Sequence, residues 1–196
     1  TKITIYSNYN LQHDSIARSF LFGFIAAGWD SGNYAAPRQM RYVIKHELSH
    51  VFHMLFAAAG DGPLHPWQPE VWFSEGIAEH SAGGSLDPIS TVEDLEEWRS
   101  QADHSNPLLI KHWEDIPASV IERTNGYEYY PMFDLAVRYL LDGAGHGKTY
   151  GDILAMCLDM RSGTPFQDAF QERMGISVDD FETDFFDLMT LYLGGS

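Results

Sequence analysis

Two histidines stand four residues apart in the middle of the segment RQMRYVIKHELSHVFHMLFAAAG (38–60). This segment follows Pro37 and reaches a glycine at Gly60, and its apolar residues recur at helical spacing, so it predicts one long helix. On a helix, residues i and i+4 leave the same face one turn apart. The side chains of His46 and His50 therefore project together from one face of this helix.

Two imidazoles so placed can converge on one tetrahedral Zn²⁺, about 2.0–2.1 Å from each nitrogen. Glu47 lies beside His46, where its carboxylate can reach a water on the metal rather than the metal itself. That division of roles is typical of HExxH metallopeptidases, in which the glutamate is the general base. Random order of the residues in this chain would give about 0.02 such matches. The motif is informative, but it needs a third ligand.

The third ligand is predicted in the segment PEVWFSEGIAEHSAGG (69–84), which reads as a second helix. The extended pattern HExxHxxGxxH fails on the first helix, because His53 and Phe56 occupy the two further positions. The second helix instead supplies Glu75 and, four residues later on the same face, Glu79. A turn rich in proline and glycine separates the two segments and would let the helices pack side by side.

HELSH followed by WFSEGIAEH resembles the gluzincin metallopeptidases, especially the small peptidase-MA-like domains with HExxH and a later W-x-x-E-G-x-A-E. The similarity extends through NGYEYYPMFDLAVRYLL and TPFQDAFQERMGISVDDFETDF, and so covers most of residues 38–190. By this resemblance Glu47 corresponds to the general base and one zinc ion is expected per chain. The zinc ligands would be His46, His50 and Glu75.

Two further roles follow from the resemblance. Glu79 matches a carboxylate that holds a ligand histidine, which we expect to be His46, by its free ring N–H; a ligating imidazole needs such an acceptor to fix its tautomer. Peptide hydrolysis also needs a donor for the developing oxyanion. Gluzincins commonly use a Tyr or His of a later helix, and spacing within NGYEYYP favours Tyr130, with Tyr129 as the alternative. Core packing of these tyrosines is the competing interpretation.

Two other residues could take part in a site. His53 lies one turn beyond His50 on roughly the same face, and we favour a histidine packed behind the site over a fourth ligand. Cys157 is the one cysteine, which excludes an intramolecular disulfide and a Cys-rich zinc ribbon. Its helical, apolar surroundings predict a buried, inert thiol.

The charge composition limits the classes of partner that this chain can bind. The chain has 12 Lys and Arg against 28 Asp and Glu, a net charge of −16, which argues against binding to nucleic acid or anionic membranes. No stretch approaches the roughly 18 apolar residues of a membrane span. A peptide or protein substrate is expected, and the sequence specifies no oligomeric state. The chain begins TKITIYSN, without a methionine or a visible signal peptide, so we expect a processed product or a domain of a longer protein. A secreted or periplasmic location is favoured.

The expected fold class is α+β and predominantly helical, a zincin-like catalytic domain with a small or reduced N-terminal sheet. KITIYS (2–7) alternates polar and apolar residues and is the one clear strand. A single domain over 1–196 is expected, with three parts: a small β/helix part (1–37), the metal-binding helices (38–84) and a C-terminal helical part (125–193). Further helices are predicted at 11–28, 91–101, 127–142, 148–161, 164–174 and 179–193.

Three functions fit these features. The leading one is a zinc-dependent peptidase, an endopeptidase because the Gly-Ala-Met-Glu-Asn motif of the aminopeptidase branch is missing. The alternative is a non-catalytic module of the same fold that binds peptide or serves as a scaffold in a larger protein. A third is an acidic helical interaction domain without metal. Glu47 separates the first two, since a purely structural zinc site would not need it.

Overall fold

The computed structural model describes residues 37–57, 69–100, 119, 122 and 127–194. Over these residues the chain is predominantly helical, which confirms that part of the predicted fold class, and no strand occurs among them. The predicted strand at 2–7, the helix at 11–28 and the small N-terminal sheet lie outside the described residues.

Seven α-helices form the described part of the chain, and one turn of 3-10 helix, Tyr127–Tyr129, leads into the fourth. In chain order they are α1 (Pro37–Ala57), α2 (Val71–Ala82), α3 (Val92–Ser100), α4 (Tyr130–Leu141), α5 (Tyr150–Arg161), α6 (Phe166–Met174) and α7 (Val178–Gly194). The helices predicted for this region are all present, with ends shifted by a few residues. None of these helices has the length and apolar composition needed to cross a membrane.

Helix α2 lies between α1 and α4 and is buried on almost all sides. A helix that is apolar all round belongs in a core, and α2 follows this rule. Its buried apolar residues are Val71, Trp72, Phe73, Ile77, Ala78 and Ala82. The same helix also buries Glu75 and Glu79. Glutamate is almost never fully buried without a partner, so these two side chains need an explanation.

Gly76 explains how closely α2 approaches α4. A Cβ atom at this position would lie 2.4 Å from the Phe133 carbonyl oxygen and 2.7 Å from Val137 Cγ2. No side chain fits at such distances, so the glycine inside the EGIAE sequence lets the two helix backbones come together. The neighbouring Glu75 is thereby held in a fixed position relative to α4.

An aromatic core joins α2 to the C-terminal helices. Trp72 stacks on Phe181 of α7, with ring centroids 5.4 Å apart, and Phe73 meets Phe170 of α6 edge-on at 5.7 Å. All four rings are fully buried. Burial of each such side chain contributes about 1.5–3 kcal/mol, so this cluster is a main anchor of α2.

Candidate metal centre

Three side chains from α1 and α2 converge on one point. His46 Nε2 lies 3.1 Å from His50 Nε2 and 3.2 Å from Glu75 Oε2, and His50 Nε2 lies 3.4 Å from the same carboxylate oxygen. The i, i+4 spacing on α1 brings the two imidazoles together, and the side-by-side packing of α2 adds the carboxylate. In the described part of the chain these three residues form the one group whose ligand atoms could share a metal ion.

The separations fit a tetrahedral ion. With metal–ligand bonds of 2.0–2.1 Å, the ligand atoms of a regular tetrahedron are about 3.3–3.4 Å apart. The three observed separations are 3.1, 3.2 and 3.4 Å. His46 and Glu75 are buried and His50 is half-buried, so one side of the cluster is closed by protein and the other is accessible.

Glu79 determines which way the His46 ring presents its lone pair. Its Oε1 lies 2.7 Å from His46 Nδ1, and the side chain is fully buried. In a neutral imidazole one nitrogen carries the proton and the other a lone pair. A carboxylate only accepts, so the contact with Glu79 favours a proton on Nδ1. Nε2 then faces the Glu75 carboxylate, either with a second proton in the charged ring or with a lone pair in the neutral one. Two electron-rich atoms in such contact require a positive charge between them.

The pKa values of the cluster also indicate a positive charge at its centre. Burial lowers the pKa of His46, but its hydrogen bonds to Glu75 and Glu79 outweigh burial and raise that pKa to about 10. Burial likewise opposes ionisation of Glu75, yet the charges of His50 and His46 and their hydrogen bonds hold its pKa well below the usual range. In both cases the surroundings stabilise a cation at the centre of the cluster, either a proton or a metal ion.

Glu47, the predicted general base, follows His46 on α1 and is half-buried. Burial raises the pKa of its carboxyl group, while His50 and His46 act in the opposite direction. Within the described part of the chain it makes no hydrogen bond or ion pair. Stabilisation of the fold therefore does not account for this carboxylate.

The two candidate tyrosines occupy different environments. Tyr130 stacks on the ring of His46, with centroids 5.7 Å apart and an interplanar angle of 5°. Tyr129 is fully buried and lies against Phe133 and Trp98 in the core. The structure thus places Tyr130 beside His46 and Tyr129 in the hydrophobic core.

The structure places His53 behind the cluster. Its Nδ1 lies 3.3 Å from Ser49 Oγ and its Nε2 lies 2.9 Å from the hydroxyl of Tyr150, so both ring nitrogens are engaged away from the ligands. Cys157 is fully buried, and burial raises the pKa of its thiol to about 12, as an inert thiol requires.

Sequence reasoning missed two residues of the cluster. Ser74 Oγ lies 3.4 Å from His50 Nδ1, and Tyr42 lies against His46 with ring centroids 6.2 Å apart. Burial and the neighbouring Glu79 carboxylate raise the pKa of Tyr42. A signal for Tyr42 was present, because it stands four residues before His46 and shares its helical face. For Ser74 the sequence offered no signal other than its position next to Glu75.

Comparison with known proteins finds no matching family model, no matching curated protein and no matching solved structure. The resemblance to gluzincins accordingly rests on the residues of this chain, and the case for a metal rests on the geometry above.

Proposed function

We propose that this chain is a zinc-dependent peptidase of the gluzincin type that cleaves peptide bonds within its substrates. The observation that carries this proposal is the convergence of His46, His50 and Glu75, with the carboxylate of Glu79 in contact with the other ring nitrogen of His46. Two imidazoles and one carboxylate are a typical ligand set of a catalytic zinc site, which leaves a fourth position open. Harder ions such as Ca²⁺ and Mg²⁺ prefer sites made of oxygen ligands.

Zinc held by these three side chains would supply Lewis acidity, which lowers the pKa of a water molecule and polarises a peptide carbonyl. Glu47 would take the proton of the attacking water and pass it to the leaving amine. Its half-buried carboxylate without a hydrogen-bond partner suits a group that must accept and release a proton. Such proton transfer typically contributes about 10²–10⁴-fold in rate.

Tyr130 is the better candidate for the oxyanion donor. Its ring lies parallel to that of His46, with the centroids 5.7 Å apart, so this tyrosine borders the cluster. Tyr129 remains the alternative by sequence, but its ring is enclosed by core residues. The zincin-like fold is part of the same proposal, supported by the two motif-bearing helices lying side by side.

The variant Glu47→Gln tests this function against a non-catalytic binding or scaffold module. An amide cannot accept the proton of water, so hydrolysis of a casein-like substrate should fall by about 10²-fold or more. Zinc content and fold should be retained, because the residue is not a ligand. Glu172→Gln, the same change at an exposed position of α6, is the matched control. Wild-type protein that binds zinc and cleaves no peptide in a broad library would favour the scaffold.

A further inference from the structure

A partly buried chain of hydrogen bonds lies on the far side of His53 from the candidate metal centre and joins three helices. Tyr150, the first residue of α5, places its hydroxyl 2.9 Å from Nε2 of His53 on α1 and 3.0 Å from Oγ of Ser81 on α2. The other ring nitrogen of His53, Nδ1, contacts Oγ of Ser49, one turn earlier on α1. One hydroxyl group therefore contacts both helices that carry the proposed zinc ligands.

The charge state of His53 and its contact with Ser49 together determine the direction of these bonds. The ring is buried, and burial lowers its pKa to about 4, so it is neutral at ordinary pH and has one donor and one acceptor nitrogen. His53 also bonds the backbone of Ser49, whose carbonyl can only accept, so the proton is assigned to Nδ1. Nε2 then accepts from the Tyr150 hydroxyl, whose oxygen is free to accept from Ser81. Each member of this chain has the partner that its chemistry requires.

We propose that Tyr150 and His53 are positioning residues of the metal centre, which hold α1 in the rotation that turns His46 and His50 toward Glu75. This proposal rests on the proposed zinc site but not on peptide hydrolysis. His53 lies one turn beyond His50, so a constraint on its ring constrains the rotation of the ligand face. Ser81 lies shortly after Glu79 on α2, and the same hydroxyl therefore fixes α1 relative to the helix that supplies the carboxylates.

The required precision explains why such a constraint matters. A side-chain atom lies about 5–6 Å from its helix axis, so a rotation of about 10° displaces it by about 1 Å. Metal–ligand distances tolerate only about 0.2 Å. Small rotations of α1 would therefore separate the two imidazoles from the carboxylate of Glu75.

Helix α5 is suited to act as the fixed support. Thr149, directly before Tyr150, and Asp152, two residues after it, form a reciprocal capping box at the beginning of this helix. Towards its end, Asp159 accepts two hydrogen bonds from the guanidinium group of Arg173 on α6. The N-terminal turn that carries the Tyr150 hydroxyl is thus held by its own cap.

The first test is the variant Tyr150→Phe, which removes the hydroxyl and keeps the ring. Zinc affinity, measured by competition with a chelating dye, should fall about tenfold, at the lower end of the range for groups that orient metal ligands. The control is Tyr192→Phe, which removes a hydroxyl bonded to Asp142 at another place in the fold. That variant should bind zinc within about twofold of wild type, because substitutions at exposed positions typically have small effects. Equal affinities for the two variants would overturn the proposal.

The second test distinguishes positioning from general stabilisation. The side-chain amide of Gln reaches the place of Nε2 and can still pair with Tyr150, whereas that of Asn reaches only the place of Nδ1. His53→Gln should therefore retain most of the zinc affinity, and His53→Asn should lose about as much as Tyr150→Phe. The double variant His53→Asn/Tyr150→Phe should be no worse than either single variant, because both break one interaction.

Several outcomes separate this proposal from the proposed function. Equal zinc affinities for His53→Gln and His53→Asn, with both proteins less stable than wild type, would show a merely structural role and refute positioning. Wild-type protein that binds no zinc would overturn both proposals. Wild-type protein that binds zinc and cleaves no peptide would refute the peptidase alone, and the affinities of the variants would still decide the role of Tyr150.

Discussion

Helices α2 and α4 both bury carboxylates, but they balance the charge in different ways. On α4, Asp134 is fully buried and its Oδ2 lies 3.3 Å from Arg138 Nε and accepts from the backbone N–H of Ser85. Arginine is always charged, so the fold itself supplies the cation. On α2, Glu75 and Glu79 contact imidazoles, which become positive only with a proton or hold a positive charge only with a metal. In the first arrangement a side chain of the fold supplies the balancing charge, although burial still raises the pKa of Asp134. In the second arrangement a proton or a metal ion from solution supplies it.

Removal of zinc should have the largest effect on the unfolding free energy. It should act only through the carboxylates of α2, Glu75 and Glu79, and not through Asp134. A ligand present at about 1,000 times its Kd stabilises the folded state by about 4 kcal/mol. A chelator should therefore lower the unfolding free energy by about that amount, measured by urea titration, and added zinc should restore it. Stability that is unchanged by chelator and by added zinc would remove the distinction between the two carboxylate sites.

The pH dependence of stability should distinguish His53 from the cluster. Its pKa is about 4 in the folded protein, against about 6.5 for an unperturbed histidine. Between these values the unfolded chain binds a proton that the folded protein does not, so stability is lost as the pH falls from about 6.5 to 4. This loss should reach about 3 kcal/mol relative to His53→Gln, which has no group to titrate. Parallel urea titrations of the two proteins across this range should show their curves diverging; parallel curves would contradict the burial of a neutral ring.

Matched amide variants test the comparison most specifically. Asp134→Asn leaves Arg138 without its charged partner and should cost about 1–3 kcal/mol of stability, with zinc affinity within about twofold of wild type. Glu79→Gln should instead lower zinc affinity by about tenfold, because an amide is a weaker partner than a carboxylate for the ring of His46. Glu75→Gln should weaken zinc binding more than Glu79→Gln, because it removes a charged ligand. Calorimetric zinc titration and chemical unfolding of the three variants measure both quantities. A large loss of zinc affinity in Asp134→Asn would show that the two sites are not separate.

Gly76→Ala has the smallest expected effect on zinc binding and controls for proximity to the ligands. Gly76→Ala places a methyl group against the Phe133 carbonyl and should destabilise the protein by about 1–3 kcal/mol through overpacking. The variant keeps every ligand, so zinc stoichiometry should be unchanged even though the residue adjoins Glu75. Thermal unfolding and metal analysis of the same sample check both expectations; a more stable variant would contradict the close approach of α2 and α4.

Local patterns were sufficient to predict much of this structure. The long helix around HELSH and the shorter one around SEGIAE were predicted from periodicity and from the proline and glycine residues at their ends, and both are present as α1 and α2. The i, i+4 spacing placed His46 beside His50 and Glu75 on the same face as Glu79. These are properties of single helices, and for that reason sequence spacing predicts them.

Contacts between distant helices could not be predicted in this way. The bond from His53 to Tyr150 joins residues 97 positions apart, and nothing in either local sequence indicates the other. Tyr129 and Tyr130 are neighbours that point to different places, because one ends the 3-10 turn and the other begins α4. Their directions depend on the rotation of α4 relative to α1, which only tertiary packing determines.

Zinc content is the most direct test of the central claim, that a catalytic metal completes the charge of the cluster on α1 and α2. Native mass spectrometry of the purified protein should show one zinc per chain. Glu75→Ala should show none at the same free zinc concentration, because only two imidazoles remain as ligands. Glu172→Ala, on α6, should match wild type. Wild-type protein without zinc, or Glu75→Ala protein with wild-type zinc affinity, would contradict the account.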